Sequence, residues 1–463
     1  MWLKKTKLRS FVKKTFLKTY CTNTTRDLAR EATIISEGLS NIYQTKIKDI
    51  EVSSNFDKMS PLLTQSSFSS KPMVLLLGNY SVGKSTFIQY LLRQDYPDIN
   101  IAPQVFLSLS NFLIIYFYSL KKPSTDKFIA ITHSDREETS PGPVVVNQPD
   151  QPFHPLKSFG ASFLSRFQAS HLNNPLLNYI TIVDTPGFLA GTSMDTNKRP
   201  YDFQGVCKWF IERSDMVLLL FDAYKLDISN ELESVIRSLK GHENKTHVLL
   251  NKADTVKETE LLKIYGGLLW NLGKAIGSNE VLNVFLGSFR EEKQNVLFSP
   301  LFQQHEENLL SRINSLPLNA SKNRMSEFCK RMMNLKTHVT LIHHLKSQLP
   351  WMFKENKQKE IIANMHQHFH HIASEHNIAL TDLPSVELYQ KFFLENPISS
   401  FNIKSNAIQK IDEVISKDLQ ELEVKLVGME NIQGEKFAKV KRGATADFSK
   451  LNTYFPQSEK RTK

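Results

Sequence analysis

Cysteine is scarce. The 463 residues hold three, Cys21, Cys207 and Cys329, an odd number with no CxxC pair, so neither a disulfide framework nor a zinc ribbon organises the fold. No apolar run reaches the about 20 residues that a membrane-spanning helix needs; the most conspicuous, residues 105–120, falls short. No D-x-[DN]-x-[DN]-G loop lies near the C-terminus, so no EF-hand site is expected there. Acid is missing from the first twenty residues, which carry seven cations. They lack the about 7–15 apolar residues of a secretory signal. Trp2, Leu8, Phe11, Val12 and Phe16 can share one helix face, so 1–27 reads as a basic segment: a membrane-surface helix, a mitochondrial presequence (which a single arginine argues against) or a disordered tail. The net charge of +11 favours phosphate-rich partners: nucleotide, anionic lipid or nucleic acid.

What is present is organised around residues 71–89. Residues 74–77 are apolar and read as a buried strand. Gly78-Asn-Tyr-Ser-Val-Gly83-Lys84-Ser85 then fits G-x-x-x-x-G-K-[ST] in full, and an apolar helical pattern follows it. A triphosphate needs many donors and no nearby carboxylate. Glycines let backbone N–H groups curl around phosphate, and a helix N-terminus adds positive potential. The motif assigns Lys84 to the β- and γ-phosphates and the Ser85 hydroxyl to Mg²⁺. Gly78, Ser81, Gly83 and Thr86 complete the loop's nucleotide-contacting set. Asn79 forms one of four N-x-[ST] sequons, with Asn23, Asn244 and Asn319; inside a phosphate loop it cannot carry a glycan.

With 74–77 counted as the first, further strands are expected at 128–131, 179–183, 216–221, 247–250 and 284–286. The third ends in Asp184-Thr-Pro-Gly187, a D-x-x-G pattern: Asp184 would hold Mg²⁺ through water and the Gly187 N–H would sense the γ-phosphate. Phe188 stands where a Ras-like enzyme has a water-orienting Gln. The fifth ends in Asn251-Lys252-Ala253-Asp254. This N-K-x-D pattern reads guanine, the carboxylate accepting from the ring N1–H and the exocyclic amine, with the Lys stem over the base. Ser288 follows the last strand. Thr125 precedes the second, where a switch threonine ligates Mg²⁺ and contacts the γ-phosphate. Strands alternating with helices predict an α/β fold, a mostly parallel, doubly wound sheet with nucleotide at the strands' C-terminal ends. Residues 105–122 do not fit that scheme. They read as a buried strand or, better, as an insertion foreign to the fold, of the kind a retained intron or faulty gene model leaves. Residues 190–200 read as a mobile switch loop.

The flanks are helical. Residues 28–50 show helical spacing, 51–70 a Ser-rich loop. From about 300 the pattern is again helical: Phe328, Met332, Leu335, Val339 and Ile342 share a face, with Lys322, Arg324, Lys330, Arg331, Lys336 and Lys346 around them and Glu327 the one acid between 322 and 346. Either this is an anionic-membrane surface or the stripe is core. His366, His368, His370 and His371 crowd the next helix and read as a solvated face, zinc being the alternative without a visible acidic or Cys partner. Residues 428–463 read as a basic disordered tail.

KPMVLLLGNYSVGKSTFIQYLL, ITIVDTPGFLAG, YDFQGVCKWFIERSDMVLLLFDAYKLDIS, VLLNKAD and KIYGGLLWNLGKAIG together resemble the dynamin-like EH domain-containing (EHD) ATPases and their relative sarcalumenin, over residues 30–425. SVGKST, CKWFIERSD and YQKFFLENPISSF lean toward sarcalumenin. The EH module itself is not expected, for want of an EF-hand loop. The resemblance implies a dynamin-type G domain (71–295) and an all-α helical domain built from 28–70 and 296–427. It implies that Trp270 lies in a G-domain homodimer or higher oligomer, that Thr125 and Lys84 are catalytic, that Ser85, Thr125 and Asp184 serve the metal, and that Lys322, Arg324, Lys330, Arg331 and Lys336 meet an anionic membrane surface. The insertion splits the family's Pro-x-Thr-Thr-x switch, which puts hydrolysis in doubt. Without the acidic repeats and signal of lumenal sarcalumenin, calcium buffering is not expected.

The expectation is a membrane-associated GTP-binding protein that needs Mg²⁺ and hydrolyses slowly on assembly. EHD proteins carry N-K-x-D and use ATP, so ATP is the alternative base. A non-catalytic nucleotide-binding scaffold is the competing class; no nucleic acid partner is expected. The place expected is a peripheral one, on the cytosolic face of endosomal or endoplasmic/sarcoplasmic reticulum membranes, or in the sarcoplasmic reticulum lumen if the N-terminus is incomplete.

Overall fold

A computed structural model describes residues 25–96, 126–148, 151–188, 199–226, 228–277, 282–289, 299–350, 354–375, 385–404 and 406–428. The basic N-terminus, the 105–122 insertion, Thr125, most of the 190–200 loop and the C-terminal tail lie outside them. The chain divides into two compact units. One includes Ser69–Ala320; the other joins Arg30–Phe68 to the chain from Ser321.

The first unit is built on an eight-stranded sheet: β1 (Met73–Gly78), β2 (Phe128–His133), β3 (Glu138–Pro141), β4 (Phe167–Leu172), β5 (Thr181–Asp184), β6 (Met216–Asp222), β7 (Thr246–Asn251) and β8 (Asn283–Leu286). Their spatial order is β3-β4-β2-β5-β1-β6-β7-β8. β1 runs parallel to β5 and β6, whereas β2 is antiparallel to β5 and β3 antiparallel to β4. The sheet is therefore mixed rather than simply parallel. β1 shows why its run is continuously apolar. Met73, Leu75 and Leu77 enter one core cluster and Val74 and Leu76 the other, so both faces are covered and no position tolerates a polar side chain.

β3 and β4 were not expected from the sequence. β4 is fully buried yet carries Gln168, Ser170 and His171. Two of the three are partnered: Lys127 Nζ donates to Gln168 at 3.0 Å, and His171 meets Thr132 at 2.9 Å and Ser140 at 3.2 Å, while the Ser170 hydroxyl is buried without a hydrogen-bond partner. Burial holds the His171 pKa below its usual value, so the ring stays neutral. Cys207 is buried, its thiol pushed up by desolvation, and Cys207 and Cys329 are free thiols.

The second unit is helical. α1 (Thr25–Ile42) leads in; instead of a plain loop, residues 51–70 hold further helical turns at Phe56–Lys58 and Gln65–Ser69. The long helix Ser299–Ser347 crosses the boundary between the units and contains Pro317. Its stripe Phe328, Met332, Leu335, Val339 and Ile342 is buried. That apolar face is core, so it is not available to insert into lipid. No helix among the described residues is long and apolar enough to cross a membrane.

Arg331 departs from the expected membrane-facing set. Expected to face lipid, it turns inward. Its guanidinium grips Glu51, itself fully buried, from Nε at 2.7 Å and from a terminal nitrogen at 2.9 Å, and donates to Ser60 Oγ at 2.6 Å. Tyr43 donates to the same carboxylate at 2.8 Å, and burial beside that anion pushes its phenol up to about 12. Lys336 pairs with Asp412 at 2.6 Å, and Arg324 donates to the Phe68 carbonyl at 3.0 Å. Nearby, His338 bridges Tyr389 OH at 2.8 Å and the Ser54 carbonyl at 2.9 Å. Burial pushes it down to about 4.

Two outcomes follow for this unit. Arg331→Ala leaves the Glu51 charge buried and unpaired, which costs about 3–5 kcal/mol; thermal or urea unfolding of the full chain reads it, and a loss under about 1 kcal/mol would refute the internal role. His338 stays neutral in the fold down to about pH 4, while in the unfolded chain it protonates near 6.5. Its stabilising share is whole above pH 6.5 and declines as pH falls toward 4, by on the order of 3 kcal/mol. His338→Gln should flatten that part of the stability–pH curve.

Candidate nucleotide-binding site

The candidate site lies at the C-terminal ends of β1, β5 and β7. β1 ends at Gly78, and the loop 79–83 leads into α2 (Lys84–Leu92), with Gly83 at its start in the left-handed region, φ 94°. A Cβ on Gly83 would come within 2.5 Å of Asn251 Nδ2, so only glycine permits the close approach. Asn251 Nδ2 donates to the Val82 carbonyl at 2.9 Å. The third motif thus holds the first in shape.

A second tie runs from β5. The Tyr80 N–H donates to the Phe188 carbonyl and the Phe188 N–H to the Gly78 carbonyl, both at 3.3 Å. Asn79 and Phe188 thereby form a parallel bridge. Gly187 sits against Tyr80, where a Cβ would lie 2.7 Å from Tyr80 Cα. The Phe188 side chain is fully buried, which agrees with its having no water-orienting part.

Two opposite charges are desolvated here. Lys84 Nζ donates to the carbonyls of Gly78 at 2.8 Å and Asn79 at 3.1 Å. Burial pushes its ammonium down to about 8; the Asp184 charge opposes the shift and that of Arg199 adds to it. Asp184 is fully buried and its pKa is raised by desolvation, held back by Lys84, Tyr96 and Ser85. Its Oδ2 accepts from Ser85 Oγ at 2.9 Å and from Tyr96 OH at 2.8 Å, while its Oδ1 is buried without a hydrogen-bond partner.

The residues present therefore fit a magnesium triphosphate. Lys84 gains from an added anion and Asp184 from an added cation. Ser85 and Asp184 would hold the ion, while Lys84 and the loop amides of Ser81, Gly83 and Thr86 would hold the phosphates. Bound magnesium supplies charge neutralisation at the phosphate oxygens.

Asn251, Lys252, Asp254 and Ser288, the residues expected at the base, lie at or just after the C-terminal ends of β7 and β8. Lys252 is left-handed, φ 58°. Its stem is laid across the phosphate loop, with Nζ donating to the Ser81 carbonyl at 2.9 Å and to Asp222 Oδ2 at 2.7 Å. Asp254 is buried within the turn Ala253–Thr255. Ser288 Oγ is buried without a hydrogen-bond partner.

The structure brings Gly78, Ser81, Gly83, Lys84, Ser85, Thr86, Asp184, Gly187, Asn251, Lys252, Asp254 and Ser288 into one loop cluster; Thr125 lies outside the described residues. Trp270 lies on the helix α5, which follows α3 (Phe203–Arg213) and α4 (Asn230–Arg237) in the chain. α5 spans Glu258–Ile276, and Trp270 is 76% exposed there.

Three contributors escaped sequence reasoning. Tyr96 reaches Asp184. Asp222 anchors Lys252. Arg199, at the end of the expected switch loop, is pinned rather than free: it pairs with Glu231 at 2.8 Å, donates to the Gly187 carbonyl at 2.8 Å and lies 3.8 Å over the Phe203 ring. Asp222 ends an apolar strand and was findable by position; Tyr96 and Arg199 carry no local signal.

Tyr96 and Ser85 both donate to Asp184 Oδ2 and compete with a cation for that oxygen. Tyr96→Phe should thus lower the Mg²⁺ concentration for half-maximal nucleotide binding by on the order of tenfold, the worth of a hydrogen bond to a charged group. Nucleotide titrations at graded Mg²⁺ measure it; a higher Mg²⁺ requirement would show instead that Tyr96 positions Asp184 for the ion.

The "Dynamin family" pattern matches residues 74–253, and a "Domain of unknown function (DUF5600)" matches 319–423. EH domain-containing protein 1 of Arabidopsis thaliana is 39% identical over 398 residues, 84% of this chain and 70% of its own. EH domain-containing protein 3 of Homo sapiens is 39% identical over 406 residues, 86% of this chain and 72% of its own. Among solved structures, one of an oligomerised bacterial dynamin pair aligns at 15% identity with a TM-score of 0.38, covering 89% of this chain and 63% of that one.

Proposed function

This chain belongs to the family of dynamin-like EH domain-containing proteins, and on that premise we propose that it is a membrane-associated nucleoside triphosphatase of the dynamin type, slow alone and stimulated by assembly. The observation that carries the reading is the desolvated Lys84–Asp184 pair, which lacks the charges that a magnesium triphosphate brings.

The preferred base is guanine. Asp254 is a buried carboxylate two residues beyond Lys252, placed to read the ring N1–H and exocyclic amine, and ATP is the competing ligand. Assembly runs through α5, where Trp270 and Leu262, each 76% exposed, lie eight residues apart on one helix face with Gly266 between them. Such an apolar stripe suits burial against a second copy. Thr125 and that second copy must position the attacking water, since Phe188 is buried. Contact with anionic lipid falls to Lys322 and the exposed Lys330, supported by Arg324 and Lys336 at the surface of the second unit; Arg331 is already committed to Glu51. The membrane contact is peripheral, on the cytosolic face.

Competition between labelled GTP and ATP tests the base: GTP should win, Asp254→Asn should weaken GTP and spare ATP, and an ATP preference in the unmutated chain would overturn the choice. Lys84→Ala should weaken either nucleotide by about 100-fold. Phosphate release should rise on anionic liposomes and stay low on neutral ones. Bound nucleotide without release on anionic liposomes would instead favour the scaffold reading, to which the buried Phe188 also lends support.

A further inference from the structure

The crowded histidines of the helical unit were expected to be a solvated face without an acidic partner. In the structure, His366 and His370 are indeed exposed. His371 is exposed as well and His368 half-buried, but both lie against His344 of another helix. Of the next helices, α6 (Ser299–Ser347) brings His344 against α8 (Met365–Glu375), which follows α7 (Lys354–Ala363). His344 and His371 lie with ring centroids 5.1 Å apart, and His344 and His368 with centroids 5.6 Å apart. His371 Nδ1 is 3.4 Å from Glu375 Oε2, one helical turn on. One ligand atom from each of His344, His371 and Glu375 lies within 4.8 Å of the others.

We propose that His344, His371 and Glu375 form a binding site for a divalent transition cation of the zinc class, with its fourth position open to water or to His368. The chemistry of the donors selects the cation. Two or three imidazoles with one carboxylate suit Zn²⁺, and Co²⁺ as its spectroscopic substitute, whereas Mg²⁺ and Ca²⁺ prefer oxygen throughout. The arrangement supplies it cheaply. His371 and Glu375 are four residues apart and share a helix face, while His344 is presented by another helix, so a bound ion would staple α6 to α8.

Lys357 on α7 is paired with Glu360 at 2.8 Å. The three core ligands are intermediate or exposed, so an ion reaches them without opening the fold. None of them belongs to the nucleotide site.

The test uses the full chain, nucleotide-free, stripped with a chelator and kept in millimolar Mg²⁺ to suppress oxygen-ligand binding. Titration with Co²⁺ should give saturable visible bands at one equivalent, displaced by Zn²⁺, and Zn²⁺ should raise the melting temperature. The double variant His344→Ala/His371→Ala should lose Co²⁺ affinity by about tenfold or more and lose the Zn²⁺-dependent shift. Glu375→Gln should weaken Co²⁺ in the same direction. The control His366→Ala/His370→Ala should behave as the unmutated chain. Unchanged Co²⁺ affinity in the His344/His371 variant, equal loss in the control, or no saturation below about 100 µM would each overturn the proposal.

Discussion

The first unit depends on two opposite charges being held out of water at the ends of adjacent strands. Leu76 of β1 is in register with Asp184 of β5, and β1 then runs on through Gly78 into the loop that ends at Lys84. The ammonium and the carboxylate both shift toward their neutral forms, a cost the fold carries to keep the site short of charge. Apolar residues on both faces of β1 make that possible: a strand less completely buried would admit water beside Asp184, and the pair would lose the low dielectric that strengthens its call for an ionic ligand.

The parts legible in the sequence were those whose local pattern coincides with their tertiary role. β1, β6 and β7 are apolar because they are covered on both faces, and their motifs follow because nucleotide sites form at the strands' ends. β4 was illegible because its burial includes Gln168, Ser170 and His171, of which Gln168 and His171 are satisfied by partners far along the chain. Hydropathy reads such residues as exposed; only pairing shows otherwise. The mixed sheet has the same origin, since the antiparallel register of β2 on β5 leaves no composition signal.

The helical unit teaches the converse. Its basic stripe read as a surface feature, yet Arg331 is drawn inward by Glu51 and Lys336 is matched by Asp412. Charge along a helix states only what the side chain carries. Whether it meets solvent, lipid or an internal acid depends on what the rest of the chain brings opposite it, and Glu51 lies 280 residues away. The histidines on α8 follow the same logic, for His344 comes from a different helix.

The ties that shape the nucleotide site also restrict its motion. Gly187 is held from three sides: Tyr80 blocks it sterically, the Phe188–Asn79 bridge fixes the next residue, and Arg199 claims its carbonyl while paired to Glu231. A switch needs two arrangements of a contiguous network, not a loose loop. Any displacement of Gly187 must break the Arg199 contact or rotate it with the loop, and it must part Phe188 from the phosphate loop. Because Arg199 is stacked on Phe203 at the start of α3, such a displacement is felt by that helix as well. The D-x-x-G segment is thus tied to its surroundings by named bonds, the Arg199 contact among them, and not by glycine alone.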